Sequence, residues 1–65
     1  MNVTVNDQAV RVAEGTTVVA LLHRLGLPEK GIAVALNAAV LPRSQWQRPV
    51  PDGAVVEVLT AVQGG

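Results

Sequence analysis

From Thr16 to Pro28 the chain reads TTVVALLHRLGLP, and its apolar residues fall at helical spacing. Val18, Leu21, Leu22 and Leu25 stand at i, i+3, i+4 and i+7, which gathers them in one narrow stripe. Thr16 or Thr17 can cap the amide end. Gly26 offers the left-handed position past the last turn, and Pro28 keeps the helix from resuming. Ala20, His23 and Arg24 fall away from the stripe. The spacing predicts an amphipathic helix of about two and a half turns, too short to persist alone in water. Its apolar stripe must therefore lie on the remainder of the chain.

On both sides of this stretch the period is two. NVTVN puts Val3 and Val5 on one face and Asn2, Thr4 and Asn6 on the other, and AVRVA sets Val10 and Val12 against Arg11. The short, turn-prone NDQ between them predicts a β-hairpin with one buried face. After the helix, GIAVALN alternates again, Ile32, Val34 and Leu36 against Ala33 and Ala35. NAA reads as a turn and VLP as a short strand ended by Pro42. RSQWQRPVPDG has no lasting period and reads as a loop with one turn of 3₁₀ helix at Arg43–Trp46. PDG makes a tight turn. AVVEVLT is the last strand, with Val56 and Val58 inward and Glu57 outward. A helix that follows a hairpin and crosses to a third strand is compatible with a mixed sheet. The expected class is α+β, with the helix on one face of the sheet.

With 65 residues the chain makes one domain, and one this short buries only about 60% of the surface its unfolded form exposes. The composition compensates with apolar density: 49% of the residues are apolar, mostly Val, Ala and Leu, while Phe and Tyr are absent and Trp46 is the only aromatic. Small branched residues suit a thin sheet-on-helix sandwich better than a bundle filled by large rings.

Charge and chemistry exclude several functions. The net charge is zero, and Arg11, Arg24, Lys30, Arg43 and Arg48 are scattered, so no basic stripe points to nucleic acid. MNVTVN has neither a charged leader nor a long apolar run, so no membrane segment is expected and the expected location is cytoplasmic. Without cysteine there can be no disulfide, thiolate metal site or thiol nucleophile. One histidine cannot build a closed zinc site. His23 falls on the polar helix face and reads as a solvated surface residue. The carboxylates show no paired spacing, and no Gly-rich phosphate loop joins a strand to a helix. A stand-alone catalyst is not expected.

The surface and the chain end remain. Ala33, Ala35, Val55 and Leu59 should share the sheet face away from the helix, an apolar face of the kind that marks a partner site. Trp46 can fold back over the edge of the core or anchor a partner. Arg43 and Arg48 flank it. The sequence ends AVQGG, and glycine, which adds nothing to a core, can thread narrow spaces and adopt backbone angles closed to other residues.

These features together carry a resemblance. Hairpin, helix, strand, Pro-rich loop and last strand, at this length and with Gly-Gly at the end, resemble the ubiquitin-like, β-grasp sulfur carriers. LNAAVLPRSQW is more discriminating: it resembles the Asn-x-x-[VI]-[VL]-Pro-Arg-x-Gln-Trp segment of the ThiS family of thiamine biosynthesis. EGTTVVALLHRLGL and PDGAVVEVLTAVQGG align with that family in character, so the likeness spans the chain. It implies a β-grasp domain over residues 1–62, a mixed four- to five-stranded sheet on one main helix, and a flexible tail at 63–65.

The resemblance also implies a chemistry. The carboxylate of Gly65, with Gly64 as its required neighbour, would be adenylated with ATP by a separate ubiquitin-activating-type enzyme. It would then be converted to a thiocarboxylate, with sulfur from a cysteine desulfurase-type donor, and be used by thiazole synthase. The carrier itself would bind no cofactor and no metal, and be a monomer when free. Leu59, Ala61 and Val62, beside the tail, with Trp46 and Arg43, are the expected partner surface. Three alternatives stand beside this one: a carrier for molybdopterin or cysteine synthesis, a protein modifier, and a passive binding module with an incidental tail.

Overall fold

Asn6 and Asp7 both take left-handed backbone angles, φ 48° and 70°, in the computed structural model of the chain, which describes residues 1–60. Two consecutive positive φ values make the type I′ turn, whose twist matches that of the strands it joins. Asn and Asp tolerate that region better than most residues with a side chain. β1 (Asn2–Val5) and β2 (Gln8–Arg11) close on this turn, with Val3 opposite Val10 and Val5 opposite Gln8. The device recurs at Asn37 and Ala38, φ 50° and 69°, which join β3 (Ile32–Leu36) to β4 (Ala39–Val40). β5 (Val55–Thr60) follows a turn at Pro51–Ala54 in which Gly53 takes φ 77°.

The helix, α1, spans Val18–Arg24. Thr17 is its cap: the hydroxyl oxygen accepts from the Ala20 amide at 3.1 Å, while Thr16 donates its hydroxyl to the Ala13 carbonyl. The Val19 amide finds the carbonyl of Trp46 at 3.1 Å, so the first turn is tied to the Pro-rich loop. Thr17→Ala is expected to lower stability by about 1 kcal/mol, read as a fall in the urea midpoint at unchanged m. At the other end Gly26, φ 71°, donates to the His23 carbonyl and Leu27 to the Leu22 carbonyl. These two bonds form a Schellman closure. Leu25 departs from the predicted stripe. It is the C-cap residue and 37% exposed, because the helix ends there and the chain turns back to pack Leu27 against the core instead.

Among the described residues the strands form one five-stranded mixed sheet in the order β2-β1-β5-β3-β4, in which only β1 and β5 run parallel. The last strand in sequence is thus the middle strand in space. Val3, Val34 and Val56 from the sheet meet Val18, Leu21 and Leu22 from α1, all essentially buried. Trp46 closes one end of this core. It is 3% exposed, and its indole N–H donates to the Leu41 carbonyl at 3.1 Å, which satisfies the ring's one polar atom. The loop carrying it contains the expected 3₁₀ turn, Arg43–Gln45, and is held to the segment leading into α1 by the Val50 amide, which donates to the Thr16 carbonyl at 2.8 Å.

Candidate functional site

β5 leads into residues 61–65, which lie outside the described part of the structure together with the predicted site residues Ala61, Val62, Gly64 and Gly65. On its β3 side β5 is paired to its end, Thr60 opposite Ile32. On its β1 side strand pairing stops at Val5 opposite Val56. The last described residue of β5 therefore lies in the middle of the sheet, at the end that also carries the Asn6–Asp7 turn and the start of β3.

Leu59 is 63% exposed on the face away from α1, directly opposite Ala33. Val55 lies on the same face, as expected, and Ala35 pairs with Val40, which is 80% exposed. Val40 was not singled out in the sequence, because the two-residue strand holding it shows no period. The open face is thus apolar across β5, β3 and β4, and Glu57, opposite Ala35, adds a charge.

Arg43 and Trp46 do not join this patch. The indole belongs to the core between sheet and helix, so a partner meets almost none of it. Of the two readings of Trp46, the fold back over the core is the one the structure takes, and only its place in the expected partner surface is corrected: in a core without other large rings, its bulk is needed inside. The Arg43 guanidinium sits over the indole, 5.1 Å from the ring centroid, in cation–π geometry. Leu59 and this pair are on opposite sides of the sheet, and one flat partner cannot cover both.

The described residues hold no site for catalysis. Two open grooves mark the surface. One, of about 290 Å³, is lined by Val5, Asn6, Gln8, Val10, Leu25 and Leu27, none of them ionisable. The other, of about 210 Å³, has Arg48 as its single charge. Neither brings together an acid, a base and a nucleophile. His23 is exposed and its Nε2 lies 2.8 Å from Glu29 Oε2, a surface pair that lines neither groove. No cluster of metal-ligating side chains occurs among the described residues, and no helix there is long and apolar enough to cross a membrane.

The ThiS family matches residues 2–65, nearly the whole chain. The chain belongs to the ThiS family. The sulfur carrier protein ThiS of Escherichia coli K12 is 39% identical, with both chains covered completely. The crystal structure of a thiamine biosynthesis protein (ThiS) from Geobacter metallireducens superposes with a TM-score of 0.83 at 38% identity, again over all of both chains. This sheet with its single helix is the β-grasp fold of the ThiS family. A thiazole synthase from Paramagnetospirillum magneticum is 32% identical to the whole chain, but the match occupies only 20% of that protein.

Proposed function

We propose that this chain is a sulfur carrier for the thiazole-forming step of thiamine biosynthesis, with the sulfur held on the carboxyl group of Gly65. The observation that carries the reading is the ThiS-family match through residue 65, with the E. coli sulfur carrier aligned end to end. Cysteine is absent, so sulfur cannot ride on a thiol, whereas a terminal carboxyl can hold it.

A carboxylate is a poor acyl donor. The Gly65 oxygen attacks the α-phosphorus of ATP on a separate adenylating enzyme, pyrophosphate leaves, and an acyl-adenylate results. The outer sulfur of a persulfide on a cysteine desulfurase-type donor then adds to the acyl carbon and displaces AMP. A thiol reductant cleaves the S–S bond of the resulting acyl disulfide, forming a disulfide with the donor cysteine and leaving a thiocarboxylate. Thiazole synthase accepts the sulfur. Support for that last partner is the Paramagnetospirillum thiazole synthase, one fifth of which resembles this chain. A carrier-like segment inside the acceptor is a covalent version of the proposed encounter, with a raised effective concentration.

The test is intact mass and C-terminal fragmentation after incubation with ATP, an adenylating enzyme of this pathway and a sulfur source. Fragmentation is needed because exchange of oxygen for sulfur changes the mass almost as much as oxidation of Met1. Sulfur is expected on Gly65. An unchanged terminus, with an enzyme active on another ThiS-family carrier, overturns the reading, and an isopeptide product identifies a protein modifier instead.

A further inference from the structure

We infer that Asn6 is a positioning residue, which holds the end of β5 in the sheet and so sets where the chain departs toward Gly65. β1 runs parallel to β5, and a parallel partner supplies carbonyls and amides alternately along the strand. It delivers the Thr4 amide to the Ala54 carbonyl at 2.9 Å and the Asn6 amide to the Val56 carbonyl at 3.0 Å. There β1 ends, because Asn6 and Asp7 turn away into β2. The next β5 residue facing this edge is Val58, and the backbone of β1 no longer reaches it.

The side chain of Asn6 does. Its Oδ1 accepts from the Val58 amide at 2.9 Å, and its Nδ2 donates to the Val58 carbonyl at 3.2 Å. One carboxamide thus replaces both rungs that a longer β1 would have supplied. Only a residue with a donor and an acceptor on one short stem, at ease at φ 48°, can do this. Asn37 uses the same device at the opposite end and on the opposite edge of β5. There the backbone N–H donates to the Val55 carbonyl at 2.7 Å and Oδ1 accepts from the Val55 amide at 2.9 Å. The central strand is clamped twice, and the Asn6 clamp is the one nearer the chain's departure.

The consequence for transfer rests on the carrier reading above. An adenylating enzyme must receive Gly65 in one place, and β5 freed on its β1 side at Val58, held there by β3 alone, presents its end over a wider range of directions. Apparent affinity falls by the fraction of molecules poised correctly, while the chemical step in a bound molecule is unchanged.

The experiment compares Asn6→Gly with Asn37→Gly. Glycine suits both positive-φ positions, so each turn survives at a similar cost to the unfolded chain; Asn6→Gly loses both side-chain bonds, and Asn37→Gly loses only the one to Oδ1, its backbone N–H still donating to Val55. Asn6→Gly is expected to exchange its Val58 amide hydrogen roughly tenfold faster, and to raise KM for adenylation roughly three- to tenfold at unchanged kcat. Asn37→Gly is expected to expose the Val55 amide instead, with KM unchanged. Equal KM effects in the two variants, undisturbed exchange at Val58, or loss of folding in Asn6→Gly each overturn the inference. A wild-type chain that takes up no adenylate from an active enzyme defeats the carrier reading alone, and the exchange at Val58 still decides the clamp.

Discussion

Removal of Gly64 and Gly65 is expected to abolish sulfur loading and to leave the melting temperature within about 4 °C of the intact chain. The two halves have separate causes. The described core reaches from Val3 to Val58, and glycine has no side chain to add to a core, so the deletion removes no apolar side chain. Loading fails because the terminal carboxyl then belongs to Gln63, two residues short of its place on the enzyme and with a side chain where glycine stood. A subtler variant separates chemistry from shape. Gly64→Val keeps a terminal Gly65 carboxylate but adds a β-branched side chain beside the position where the nucleotide must lie. Misplacement of a reacting group by an ångström costs about a hundredfold in rate, and a slowing of that order is expected in single-turnover adenylation. A wild-type rate in Gly64→Val would sink the steric argument, and a deletion variant that still accepts sulfur would remove Gly65 as the attachment point.

The elements of the fold are legible along the sequence because each has a local cause. Alternation gives β1, β2, β3 and β5, the stripe Val18–Leu21–Leu22 gives α1, and Gly26 and Pro28 give its end. Leu25 shows the limit of periodicity: its spacing fits the stripe, but the helix stops at it, and Leu27, outside any periodic pattern, packs partly buried against the core instead. Strand order is less legible. That β5 inserts between β1 and β3 depends on pairing between segments some 50 residues apart, as Thr4 with Val55. The Asn6 clamp is hidden for the same reason, since it joins residues separated by 52 positions. The turns left a trace: Asn-Asp and Asn-Ala between apolar runs fit consecutive left-handed angles. The candidate site divides likewise. Gly64 and Gly65 are conspicuous in any reading, yet their chemistry comes from the family resemblance, and the partner surface drawn around them mixes two sides of the sheet. Leu59 faces outward and Trp46 inward because of where their elements sit in the finished sheet, which no local pattern contains.

Leu22→Ala tests the scaffold rather than the tail, and its effect on stability should be the larger. Leu22 is fully buried, and both its neighbours on the helix stripe, Val18 and Leu21, are at 1% exposure, so the vacated space has no route to collapse by local adjustment. Loss of the side chain costs about 2–5 kcal/mol. A domain of this size holds only roughly 3–10 kcal/mol in total. The melting temperature is expected to fall by at least about 10 °C, and a large fraction of the chain to be unfolded at 37 °C. Val58→Ala, at 9% exposure and with fewer atoms removed, should lie at the lower end, about 2 kcal/mol. Carrier activity should drop with the folded fraction, and here the two classes of variant part. Sucrose or trimethylamine oxide favours the compact state, so it should restore adenylation of Leu22→Ala and do nothing for the chain lacking Gly64 and Gly65. Adenylation of Leu22→Ala that tracks the folded fraction measured by circular dichroism confirms that the core serves only to hold β5 and its end in place. A deficit persisting at full folding would mean that Leu22 shapes the path of the tail as well.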